Sequence, residues 1–264
     1  MSQNWINTQA EANVKQFDES MDAFNTNVSS FLFDSDKYFQ RVCVDCNYLD
    51  AIKLVNWDLH LKQNSVILDM GSGGGWLAGY LSSFKHVKTI NTLDSSKYFL
   101  YQMMPKILKK MAADEKKIIP IEGLYTPILF DDESIDMVVA SSALHHADNL
   151  ELVLKEIRRV LKKDGSLIVL NETPDSATRH FLRVTKACLS ILKNLLFKNY
   201  FSISAAVSSS GFLYDPHLGD RAYPVWYWKK ALKLSGFNEV EKVDSGMPTL
   251  KKSKGPSLVH FICK

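Results

Sequence analysis

The sequence predicts an α/β fold: a mostly parallel sheet of seven strands whose last strand is antiparallel, with helices on both faces, a helical segment in front and a helical cap inserted late. Three observations carry that expectation. From residue 65 onward, short apolar runs alternate with helical stretches. The first of those runs, Val66-Ile67-Leu68-Asp69, leads into a loop in which Gly71, Gly73, Gly74 and Gly75 remove nearly every side chain. The chain then closes on two strand-like runs with no helix between them. Strand–helix alternation is the pattern of crossover units, which build parallel sheets covered on both faces. Two strands joined directly run antiparallel.

Taken in order, residues 1–63 read as a helical preface packing on the core, with Phe17, Phe24, Phe31, Phe33, Tyr38 and Phe39 spaced as on amphipathic helices. Residues 64–264 form the main domain. Its runs are SVILDM, WLAGYLSSF, KTINTLD, KYFLYQMMPKILKKM, KIIPIEG, IDMVVASSA, LELVLKEIRRVLKKDG and SLIVLNE, alternately strand and helix. Lys162, Lys163 and Gly165 predict a helix end there, with basic residues in the last turn and a glycine just beyond. The alternation is then interrupted by a cap insertion at about 174–223 with no obvious strand. PVWYWKKALKLSGF reads as a helix closed by Gly236, followed by the strands NEVEKVDSG and SLVHFICK.

A hydrophobic content of 46% over 264 residues is enough for one substantial core. With 32 basic against 29 acidic residues, the balance lacks the basic excess of a phosphate-tracking surface, so no nucleic-acid partner is expected. The first twenty residues lack a basic stretch followed by an apolar run, and no segment has the roughly 18 apolar residues of a membrane span, so the expectation is a cytoplasmic protein. Cys43, Cys46, Cys188 and Cys263 are too scattered for a disulfide framework. The Cys43-x-x-Cys46 spacing suits either a redox or zinc pair or two small residues one helical turn apart. No cluster has metal-ligand spacing, and no metal is expected.

In an open parallel sheet, ligands bind outside the carboxyl ends of the strands near the switch point, so the glycine loop is the place to look. A dinucleotide-binding G-x-G-x-x-G beginning at Gly71 would end on Trp76, where helix packing wants a small residue. The alternative, acid-x-Gly-x-Gly-x-Gly, is matched by Asp69, Gly71, Gly73 and Gly75, and the second strand ends in another acid, Asp94. With these residues, and with LFDDESIDMVVASSALHHADN and ELVLKEIRRVLKKDGSLIV behind them, the stretch from about 65 to 172 resembles the class I S-adenosylmethionine-dependent methyltransferases. The resemblance implies a Rossmann-like sheet, S-adenosylmethionine as cofactor and S-adenosylhomocysteine as product. It places Asp69, Gly71, Ser72, Gly73 and Gly75 along the amino-acid part of the cofactor, and Asp94 with Ser95 at its ribose; the alternative for Asp69 is that it organises the glycine loop through backbone amides. A carboxylate suits a vicinal diol because it accepts two hydrogen bonds. Ser141, within the stretch Ala140 to His146, falls along the pocket edge. Where many members have an aspartate for the adenine amino group, this chain has Leu124, which cannot accept that bond; apolar packing, backbone groups or Tyr125 are left to hold the ring.

His145 and His146 fall where the family places residues near the transferred methyl, and a neutral imidazole can take a proton from a hydroxyl acceptor. A purely structural role for the pair is the alternative. Glu172 either orients a substrate or caps the following helix. Asp94 itself has a second reading as a helix cap beside Ser95 and Ser96.

The insertion speaks to the acceptor. No acidic residue occurs between Asp175 and Asp215, and Arg179, Arg183, Lys186, Lys193 and Lys198 share one helical face. The opposite face carries Leu182, Val184, Cys188, Leu189, Ile191, Leu192, Leu195 and Leu196. Such a helix over 179–198 can make a peripheral membrane or lipid contact, form a lid over a lipophilic acceptor, or simply cap the core with one side buried. The following stretch, with Tyr214, His217, Asp220, Arg221, Tyr223, Trp226 and Tyr227, suits either an acceptor pocket or a folded surface loop. The reading is methyl transfer to a small molecule, lipophilic or sugar-like; the alternatives from other classes are a catalytically silent cofactor- or partner-binding module and a nicotinamide-dependent oxidoreductase.

Overall fold

A computed structural model describes residues 3–5, 30–147, 149–197, 206–207, 212–214 and 220–264. Phe17, Phe24, Lys198 and His217 lie outside the described residues. The first described residues form a two-residue strand, β1 (Gln3–Asn4), at one sheet edge. Trp5 follows it into the core, its ring edge-on to Phe130 at 5.1 Å. Among the described residues of the N-terminal segment there are two short α-helices, α1 (Ser35–Phe39), capped by the Asp34 carboxylate, and α2 (Tyr48–Ile52).

The crossover units then run β2 (Ser65–Met70), α3 (Trp76–Ser82), β3 (Val87–Asp94), α4 (Met104–Lys110), β4 (Ile118–Glu122), β5 (Ile135–Ser141), α5 (Leu150–Val160) and β6 (Leu161–Glu172). After β6 come the long helix α6 (Ala177–Phe197), a two-residue ladder of β7 (Ala206–Val207) with β8 (Leu213–Tyr214), α7 (Val225–Leu234), and the closing strands β9 (Val240–Pro248) and β10 (Ser257–Cys263).

The sheet order is β1-β4-β3-β2-β5-β6-β10-β9, seven principal strands with β1 added at the edge. Strands β2 to β6 are parallel, and β10 runs antiparallel to both its neighbours. The expected seven-stranded sheet with an antiparallel last strand is therefore present. Almost every residue of β2 and β5 is buried, which is why they read as continuous apolar runs rather than alternating ones. One face of the sheet packs Tyr38, Ile52 and Trp57 of the N-terminal segment with Trp76, Leu77 and Ile107. The other face packs α5 and α7 through Leu154, Ile157, Trp228 and Leu232.

Two expectations are corrected. The helix α5 stops at Val160, and Leu161 is already extended, fully buried and paired with Ile135. Lys162 to Gly165 thus belong to β6: Lys162 donates to Asp136 at 2.7 Å, and a Cβ on Gly165 would lie 3.0 Å from the carbonyl oxygens of Asp136 and Lys162. The glycine answers a close strand approach rather than a helix cap. The insertion, in turn, does contain strand, the short β7–β8 ladder.

Candidate functional site

The strand order reverses between β2 and β5, and the carboxyl ends of β2, β3 and β5 converge there. The glycine loop leaves β2 with Gly71, Gly73 and Gly75 all at positive φ, a conformation that side chains resist. At Gly71 a Cβ would also lie 2.5 Å from the Tyr125 hydroxyl and 2.7 Å from the Ala143 Cβ. Gly75, at φ 74°, enters α3, whose first residue Trp76 is buried and stacked on Tyr48.

Asp94 ends β3 and holds this loop: one carboxylate oxygen accepts from the Gly73 amide at 2.8 Å and the other from the Ser96 amide at 2.9 Å. Burial raises its pKa, while amides of Ser96, Gly73 and Ser95 pull it back. Asp69 is buried at the end of β2, and one of its carboxylate oxygens has no hydrogen-bond partner; nor has the buried Ser72 hydroxyl. Burial first, and then the negative charge of Asp94, push the Asp69 pKa up to about 8. A buried carboxylate and a half-buried one that repel each other beside a loop of four glycines and one serine suit a ligand that brings positive charge and hydrogen-bond donors. S-adenosylmethionine, with a sulfonium, an ammonium and a ribose diol, is such a ligand, so the residues present fit it.

The gly-loop partners most hidden from sequence come from the N-terminal segment. The Gly74 amide donates to the Tyr38 hydroxyl at 3.1 Å, and a Cβ on Gly74 would lie 2.5 Å from the Tyr38 ring. Burial raises the Tyr38 pKa, so the phenol stays neutral. The only sequence signal was its place among spaced aromatics. Opposite, Gly123 donates to the Asp94 carbonyl at 3.0 Å, which brings the end of β4, with Leu124 and Tyr125, beside the site. The Tyr125 hydroxyl donates to the Ala143 carbonyl at 3.1 Å and so lies between the glycine loop and the link after β5. Ser141, the last residue of β5, accepts from Asn171 at 2.9 Å, and Ser142 lies 3.4 Å from the Tyr48 hydroxyl.

That link carries His145 and His146, and Glu172 at the end of β6 organises it. One Glu172 oxygen accepts from the Ala143 amide at 3.3 Å and the other lies 2.8 Å from His145 Nδ1. Glu172 is 2% exposed, and its two oxygens tie the link to β6. Asp220, distant in sequence, closes the other side, 3.5 Å from His145 Nε2 and 3.3 Å from His146 Nδ1. Burial by itself would lower the His145 pKa, but the charge of Glu172 and hydrogen bonds with Asp220 and Glu172 outweigh it and raise it to about 10. The two carboxylates on either side of the ring thus favour the protonated imidazole. Asp220 is drawn below the usual carboxylate range: burial opposes this, but the hydrogen bond and charge of His145 prevail.

Asp136, at the start of β5, accepts from the Val66 amide at 2.9 Å and from Lys162, far from the loop. Cys43 and Cys46 are buried free thiols, and burial pushes Cys43 up to about 12 and Cys46 upward, which disfavours thiolate chemistry. Among the described residues, His145, His146 and Asp220 are the one group whose ligand atoms come within 4.8 Å of each other, a convergence that sequence spacing could not show.

Comparison with known proteins agrees with this geometry. A methyltransferase-domain family model matches residues 68–169. The chain is 28% identical over 211 residues to a sterol 24-C-methyltransferase of Neurospora crassa, covering 75% of this chain and 52% of that protein. It thus spans about half the length of that curated relative. An uncharacterised protein of Methanocaldococcus jannaschii is 31% identical over 222 residues, covering 81% of this chain and 85% of its own. Among solved structures, a SAM-dependent methyltransferase of Thermotoga maritima superposes with a TM-score of 0.55 at 18% identity, covering 91% of this chain and 97% of that one, a likeness of fold. The chain belongs to the class I S-adenosylmethionine-dependent methyltransferases.

Proposed function

We propose that this chain binds S-adenosylmethionine across the carboxyl ends of β2 and β3 and directs its methyl group to a small lipophilic acceptor admitted beside the His145–His146 link. The observation that carries the cofactor reading is the Asp94 carboxylate bonded to the amide of Gly73, next to the unpartnered oxygen of Asp69. Asp69, Gly71, Ser72, Gly73 and Gly75 would line the amino-acid part, Asp94 and Ser95 the ribose, and Leu124, Tyr125 and Ser141 the remaining walls. When bound, the cofactor supplies a methyl group made electrophilic by the sulfonium.

The protein's own task is alignment and exclusion of water. Tyr38 closes the glycine loop from the N-terminal side, and Tyr125 bridges it to Ala143. His145, protonated between Glu172 and Asp220, is a hydrogen-bond donor and not a base; it fixes the link and keeps Asp220 ionised. The proton-accepting role for an acceptor hydroxyl then falls to His146, whose Nδ1 is oriented by Asp220. A lipophilic acceptor is supported by the apolar, exposed helix α6 that follows β6 at this edge, and by the sterol named for the Neurospora relative. The oxidoreductase alternative is disfavoured by Trp76, whose bulk opens α3 where a dinucleotide loop needs a small residue.

The test is transfer of labelled methyl from S-adenosylmethionine into an extract, partitioned between organic and aqueous phases. Label in the organic phase is the expected outcome; label confined to water-soluble material overturns the lipophilic acceptor, and no transfer to any acceptor overturns the enzyme reading. His146→Gln is expected to lower kcat while leaving cofactor affinity unchanged.

A further inference from the structure

Helix α6 (Ala177–Phe197) runs 21 residues without an acidic side chain. At 100° per residue, Phe181, Leu182, Val184, Cys188, Leu189 and Leu192 fall in one arc and Arg179, Arg183 and Lys186 in the opposite one. In a cap helix the apolar arc would be buried. Here it faces outward: Phe181 is 68% exposed, Leu182 61%, Leu189 61% and Leu192 53%. Helix α6 is attached instead along a line between its two arcs, where the His180 ring meets Phe212 at 5.9 Å and Trp226 at 6.5 Å. Trp226, 50% exposed on α7, extends the apolar surface, and Lys229 and Lys230 beside it are also exposed.

We infer that this face docks the domain on an anionic lipid bilayer, with the helix lying in the plane of the headgroups. The charge decides the occupant: an apolar arc flanked only by cations, with no carboxylate among its own residues, matches a surface that is apolar within and negative at its rim. The helix lies on the bilayer and does not cross it, because no helix among the described residues is long and apolar enough to span one. Its root shares the edge of the methyl-transfer site. Asp175 accepts from Arg183 at 3.1 Å and is joined through its backbone to Tyr223 and Val225, while Arg221 donates its amide to the His145 carbonyl at 3.1 Å. Docking therefore presents the acceptor side of the site to the lipid.

The experiment is sedimentation of the full chain with sucrose-loaded vesicles of phosphatidylcholine alone, or of phosphatidylcholine and phosphatidylglycerol in equal parts. Binding to the anionic vesicles is expected, weakening with salt and by roughly fivefold for each charge removed in Arg179→Gln and Lys186→Gln. Leu182→Asp with Leu189→Asp is expected to abolish it, with melting temperature and S-adenosylmethionine affinity unchanged, since both side chains are exposed. The inference is overturned if the chain binds neither vesicle, if binding survives the double aspartate variant, or if the chain forms a dimer that those aspartates dissolve. Vesicle binding is read without methyl transfer, so it stands or falls separately from the proposed activity.

Discussion

Replacing Asp94 with asparagine separates the cofactor role of this carboxylate from its place in the fold. The carboxylate accepts from the Gly73 amide at 2.8 Å and the Ser96 amide at 2.9 Å, and its remaining acceptor capacity is what a ribose hydroxyl would use. Asparagine keeps the shape and one acceptor, but turns an NH2 toward one of those donors and loses the charge. Hydrogen bonds to a charged group are worth about 1.5–3 kcal/mol each, and the variant loses one such bond to the diol and weakens another, for a total of roughly 3 kcal/mol. That corresponds to about a hundredfold rise in the Kd of S-adenosylmethionine. Stability should change little, because the lost backbone bond is offset by removing a charge that burial disfavours. Burial raises the Asp94 pKa, so its charged form is disfavoured in the folded state, and a neutral amide is relieved of that cost. The expected result is a variant that melts at or near the wild-type temperature without ligand, yet binds the cofactor a hundredfold more weakly by titration calorimetry. A folded variant whose Kd stays within about threefold of wild type would refute the reasoning.

Three further outcomes follow from the same geometry. Because the folded-state pKa of Asp69 is raised from 3.8 to about 8, the ligand-free protein binds more protons than the unfolded chain across that window, so its melting temperature should fall as pH rises from about 4 to about 8; Asp69→Asn should flatten that slope, and saturating S-adenosylmethionine, a cation, should reduce it. Glu172→Gln removes the charge that chiefly holds His145 protonated, so the imidazole pKa, followed by NMR titration, should drop from about 10 toward its ordinary range, with a looser link around Ala143. Tyr38→Phe leaves the buried Gly74 amide without its acceptor, at a cost of about 1–3 kcal/mol, and should weaken cofactor binding without altering the pH profile of transfer; an unchanged affinity would show that Tyr38 only covers the loop.

The amino-acid sequence by itself determined the order of strands and helices, the reversal that makes the last strand antiparallel, and the glycine loop with Asp69 and Asp94. These are local signals: a parallel strand buried on both faces must be apolar throughout, and a backbone at positive φ admits little besides glycine. The helix boundary at Val160 was not legible, because Lys162 to Gly165 satisfy a helix-ending pattern and only the pairing of Leu161 with Ile135 draws them into the sheet. Tertiary structure alone decided what surrounds the loop. Tyr38 on Gly74, Tyr125 on Ala143, and Asp220 against two histidines 74 and 75 positions earlier are contacts between distant segments that leave no periodicity in either. The protonation of His145 belongs to the same class, since it depends on two carboxylates that folding brings to opposite sides of one ring. Helix α6 shows both halves at once: its amphipathic pattern was written in the sequence, but whether its apolar arc met the core or the solvent depended on which neighbours the fold set beside it.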